Sequence, residues 1–114
     1  MGTVLIIEDH SDTRDFLRLV VEQPERPVIT AGDGQEALER IRSAPSPCLI
    51  VLDSAMPRMN GWEFLQVKNA DPTIAGIPTI VLPGTPTDLP TGAKSHLTKP
   101  VDIARLQALV DQYC

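Results

Sequence analysis

An unbroken apolar run, Cys48 to Leu52, leads straight into Asp53. Successive side chains of a strand point to opposite faces, so a strand with one wet face alternates apolar and polar residues. A run without alternation is covered on both faces, as in a central strand of a parallel sheet. Thr3 to Ile7 is a run of β-branched and aliphatic residues before Glu8 and Asp9, and Ile77 to Leu82 reads as a further strand before Pro83.

Helix-period segments lie between these runs. The spacing of Phe16, Leu17, Val20 and Val21 predicts a helix from about Asp12 to Gln23, capped by Ser11 and ended by Pro24 and Pro27. Val28 to Ala31 reads as a second strand and Gly32-Asp33-Gly34 as a turn. Gln35 to Ser43 reads as a helix with Ala37, Leu38 and Ile41 inward, and Gly61 to Ala70 as another, stopped by Asp71-Pro72. Lys94 to Thr98 is a short fifth strand. Asp102 caps a last helix with Ile103, Leu106, Leu109, Val110 and Tyr113 on its inner stripe. This alternation predicts an α/β fold: a doubly wound, five-stranded parallel sheet of order 2-1-3-4-5 with right-handed crossovers. With 114 residues, the chain is expected to form a single domain over 1–114.

In such a sheet, ligands bind beyond the carboxyl ends of the strands, where strand order reverses. Glu8 and Asp9 follow the first strand and Asp53 follows the third, and in that order these strands are neighbours. Carboxylates gathered at one point repel, by about 4 kcal/mol per pair at ~4 Å and an effective dielectric of 20. A hard divalent cation removes that cost. Oxygen donors suit Mg²⁺, which keeps waters and accepts phosphate oxygens. Lys99 follows the fifth strand, where an ammonium can pair with an anionic oxygen. Taken singly, each acid reads as a turn former or cap, and the lysine as a solvated loop residue. The combination points to phosphate chemistry with a metal.

The net charge of −5 and the pI of about 4.8 argue against direct contact with nucleic acid or an anionic membrane. No apolar stretch approaches the roughly 20 residues that cross a bilayer. Of the two cysteines, Cys48 reads as a small core residue and Cys114 ends the chain. No disulfide framework or zinc spacing is visible, which suits a reducing cytoplasm.

These residues carry a resemblance. LIIEDHSDTR, LIVLDSAMPRMNGWEFL, IPTIVL and GAKSHLTKP resemble, in order, the motifs of the two-component response-regulator receiver domain, the flavodoxin-like fold of the chemotaxis receiver. The resemblance implies that Asp53 is the phosphoacceptor, attacking the phosphorus of a phosphohistidine or a small acyl phosphate. It implies that Asp9 binds Mg²⁺ directly, Glu8 through water and Ala55 through its carbonyl, and that Lys99 holds a phosphoryl oxygen. His96 falls at the family's aromatic switch position; the alternative is a surface strand residue. The implied partners are a histidine kinase or phosphotransfer protein upstream and an unidentified protein downstream, in the cytoplasm.

Two departures qualify the resemblance. Where the family has Ser or Thr after the fourth strand, this chain has Pro83, which has neither a hydroxyl nor an N–H; Thr85 is the nearest substitute. The stretch from Thr85 to Thr91, broken by Pro86 and Pro90, is too short for the family's usual fourth helix, which is expected to be shortened or absent. These departures leave an alternative open: a receiver-like interaction module with weak or no phosphate-dependent switching. An aspartyl-phosphate phosphatase ranks below both, because Ala55 stands where such enzymes carry a second Asp. No enzymatic role is expected beyond self-catalysed phosphoryl transfer and dephosphorylation.

Overall fold

The computed structural model describes residues 2–43, 46–53, 61–82, 95–96 and 103–114. In chain order these form β1 (Val4–Ile7), α1 (Ser11–Val21), β2 (Val28–Ala31), α2 (Gly34–Ser43), β3 (Leu49–Asp53), α3 (Gly61–Ala70), β4 (Thr79–Leu82), β5 (Ser95–His96) and α4 (Ile103–Tyr113). The sheet is parallel, with β1 between β2 and β3 and with β4 outside β3. On the outer edge of β4, Ser95 and His96 pair with Ile80 and Val81. The rest of the strand expected over Lys94 to Thr98 lies outside the described residues. So does the stretch between Pro83 and Gly92, where the shortened fourth helix was expected.

Sequence patterning explains the layers. Val4 and Ile6 of β1 join Leu17, Val21, Leu49, Val51, Ile80, Leu106 and Val110 on one face. Leu5 and Ile7 join Ile50, Leu52, Ala37, Leu38, Ile41, Phe64 and Leu65 on the other. Consecutive residues of β1 and β3 thus enter opposite cores, and Val4 to Ile7 and Leu49 to Leu52 are all fully buried. Each such side chain contributes about 1.5–3 kcal/mol relative to exposure. The unbroken apolar runs therefore mark strands covered on both faces.

Several local expectations are corrected. Residue 10, not Ser11, is the N-cap of α1, and His10 makes no side-chain cap bond. In α1 only Leu17 and Val21 are buried; Phe16 is 44% exposed. In α4 Leu106 and Val110 are buried while Ile103 is 43% exposed. In both helices the apolar stripe is wider than the part that meets the sheet, so its edge residue stays outside.

The expectation of no disulfide is overturned, although Cys48 does pack, half-buried, against the core. Cys48 and Cys114 form a disulfide with Cα atoms 5.6 Å apart. Cys48 leads into β3 and Cys114 follows α4, and the return of α4 along the sheet brings these ends together. Nearby, Arg26 is buried, donates from Nε to the Val21 carbonyl at 3.2 Å and pairs through Nη1 with Asp111 Oδ1 at 2.6 Å.

Candidate functional site

The site starts with backbone register. Ile7 of β1 pairs with Leu52 of β3, and the next residues along are Glu8 and Asp53. The ladder with β2 continues one step further, the Glu8 N–H donating to the Ala31 carbonyl at 3.0 Å. On its other side Asp53 pairs with Leu82 of β4. Glu8 and Asp53 therefore end adjacent strands at one level, and adjacent strands lie about 4.8 Å apart.

The two acids after β1 differ in environment. Glu8 is only 2% exposed, whereas Asp9 is exposed. Glu8 Oε1 accepts the His10 N–H at 3.2 Å, and its carbonyl accepts Arg14 Nη1 at 3.2 Å. Arg14 was not singled out in the sequence; it sits in the second turn of α1, whose start lies beside the acids. The only available signal was its helical spacing from Ser11. The positive end of α1 faces Glu8 and Asp9, which favours negative charge there.

A third acid beyond a strand end does something else. Asp33, after β2, is buried, and its Oδ1 accepts the Glu36 N–H at 2.9 Å. Glu36 Oε1 reaches back to the Gly32 N–H at 3.2 Å. This reciprocal capping starts α2. Asp33 thus serves helix initiation, while Glu8 and Asp9 stand at the switch point next to β3.

Oxygen donors at Glu8 and Asp9, beside the end of β3, fit a hard dication such as Mg²⁺. His96 is in β5, its backbone paired with Val81 of β4. Ala55, Pro83, Thr85 and Lys99 lie outside the described residues.

The model of the response regulator receiver domain matches residues 4–111. The chain belongs to the response-regulator receiver family. The receiver is 36% identical, over 97% of its length and 88% of the relative's, to an uncharacterised 14.6 kDa protein in the sodA1 3′ region of Leptolyngbya boryana. It is 32% identical to the alkaline phosphatase synthesis transcriptional regulatory protein SphR of Synechococcus elongatus, covering 94% of the receiver but 48% of that regulator. Among solved structures it resembles the signal receiver domain of a signal transduction histidine kinase from Syntrophus aciditrophicus. That match has a TM-score of 0.87 and 29% identity, and covers 99% of this receiver and 89% of that chain. Receiver domains are modules of two-component signal transduction rather than enzymes, and they generally bind Mg²⁺ at the phosphorylation site. They interact with histidine kinases or phosphotransfer proteins. Among the described residues, no helix of this receiver is long and apolar enough to cross a membrane.

Proposed function

We propose that this receiver accepts a phosphoryl group on Asp53 with the help of Mg²⁺ and passes the signal on as a change of shape. The observation that carries the reading is the shared level of Glu8 and Asp53 on adjacent strands, with Asp9 exposed next to them. Bound Mg²⁺ neutralises the charge gathered between carboxylates and phosphoryl oxygens. An Asp53 carboxylate oxygen attacks phosphorus as the P–N bond of a phosphohistidine, or the P–O bond of an acyl phosphate, breaks. Asp9 would hold the ion directly, the Ala55 carbonyl would be a further ligand, and Glu8 would act through water. Lys99 pairs with a phosphoryl oxygen through a charge-assisted bond.

The output half of the reading rests on residues 83–102. His96 is the switch residue, with Pro83 in the place of the hydroxyl that usually draws the loop inward and Thr85 as its nearest substitute. The unit is a single domain over 1–114, working in the cytoplasm with a histidine kinase or phosphotransfer protein as donor.

The experiment is incubation with acetyl phosphate, with and without Mg²⁺, followed by intact mass. The expected result is a gain of one phosphoryl group that needs Mg²⁺ and disappears in Asp53→Asn. Labelling of Asp53→Asn at the wild-type level would refute the assignment.

A further inference from the structure

The disulfide between Cys48 and Cys114 lies at the end of the sheet opposite Asp53, because β3 runs from one to the other over roughly 16 Å. We propose that this pair is a reversible redox-modification site that fastens the last turn of α4 to the base of β3. Its partner chemistry is a small or protein-borne thiol–disulfide couple. The idea is independent of the chemistry at Asp53.

Three observations carry it. The Cα separation of 5.6 Å is within the range that a disulfide spans, so closing the bond needs no backbone movement. Both cysteines are half-buried rather than sealed, and Cys114 lines a cleft of about 140 Å³ together with Gly2, Gln23, Glu25 and Arg26. Cys114 is therefore approachable by a thiol in solution. Finally, α4 is also held, in its middle and in its last turn, by polar contacts that survive reduction. Arg26 Nη1 pairs with Asp111 Oδ1 at 2.6 Å, and Gln107 Nε2 donates to the Val20 carbonyl at 3.2 Å. Opening the disulfide loosens the final turn without releasing the helix, as a reversible device requires.

The chemistry balances as two exchange steps. In oxidation, the thiolate of one cysteine attacks an external disulfide and expels one thiol. The second cysteine then attacks the mixed disulfide and expels the other. Two protons and two electrons leave the protein, and the external disulfide is reduced to two thiols. A dithiol runs the sequence backwards. The loop so closed spans 66 positions, so the bond removes much of the freedom of the unfolded chain.

The test uses the full chain, oxidised with glutathione disulfide and then treated with dithiothreitol. Iodoacetamide uptake under denaturing conditions and the melting temperature are read before and after reduction. The oxidised protein is expected to stay monomeric and take up no label, then to label at both cysteines after reduction. Its Tm should fall by roughly 8–16 °C on reduction and recover on reoxidation. Cys114→Ser should melt at the reduced temperature with or without dithiothreitol; Cys48→Ser should behave alike. Free labelling of both thiols after oxidation, a disulfide formed between two chains, or a Tm indifferent to reduction would each overturn the proposal.

Discussion

Glu8 and Asp53 each stand one residue past the Ile7–Leu52 pairing, on neighbouring parallel strands. Their proximity follows from strand order and register alone. The two adjacent acids after β1 then differ in kind: Glu8 is held in the interior by the His10 N–H, and Asp9 faces solvent.

That difference predicts unequal roles in metal binding. Asp9→Ala should weaken Mg²⁺ binding more than Glu8→Ala, because a direct ligand contributes more than a water-mediated one. Glu8→Ala should instead cost about 1 kcal/mol of stability through the unsatisfied His10 N–H. Calorimetric Mg²⁺ titration of both variants, beside their urea midpoints, checks the pair of effects. Equal losses of affinity would contradict the assignment.

Much of this arrangement was legible in the sequence. The runs before Glu8 and Asp53 lacked alternation, and both strands are buried on both faces for that reason. The cysteine pair was not legible, since its partners lie 66 positions apart and only the return of α4 joins them. Periodicity also failed at stripe edges: it marked Phe16 and Ile103 as apolar positions but could not say where the sheet ends. Lys68 is a further case. It is 1% exposed on α3, with Nζ donating to the Ala75 carbonyl at 2.9 Å, so its stem fills the core and its ammonium ties the α3–β4 connection.

Leu19 is 82% exposed and shares a side of α1 with Phe16. If a phosphohistidine donor protein docks here, Leu19→Asp should slow transfer from it about 10-fold to 100-fold, from the burial of one large apolar side chain. Labelling by acetyl phosphate should be unchanged. Rapid-quench kinetics with both donors separates docking from chemistry, and equal slowing with the two would remove Leu19 from the docking face.

Pro83 should limit the coupling of phosphate to shape. A hydroxyl bond to a charged phosphoryl group contributes ~1.5–3 kcal/mol. A change of ~2 kcal/mol alters a two-state ratio about 30-fold. Pro83→Thr should therefore enlarge the amide shifts that beryllofluoride induces around His96. Shifts of the same size in wild type and variant would mean that Thr85 or another donor already makes this bond.

Asp71 gives a pH signature away from the site. Its carboxyl is held below the usual carboxylate range, chiefly by the Thr73 hydroxyl at 2.7 Å, then by the Thr73 N–H at 3.0 Å and by Arg42 nearby. A depressed folded pKa stabilises the native state above the unfolded value and loses that contribution as pH falls through the folded one. Asp71→Asn should therefore flatten the acid limb of the stability curve below about pH 4. Carboxyl NMR titration and urea midpoints against pH read this directly.

The central claim is that Asp53 carries the phosphoryl group. Borohydride reduces an aspartyl phosphate to homoserine and leaves free carboxylates alone. After treatment with acetyl phosphate, Mg²⁺ and then borohydride, peptide sequencing by tandem mass spectrometry should find homoserine at position 53, with Asp9 and every other carboxylate intact. Homoserine at another position, or none in protein whose intact mass had risen by a phosphoryl group, would contradict the account.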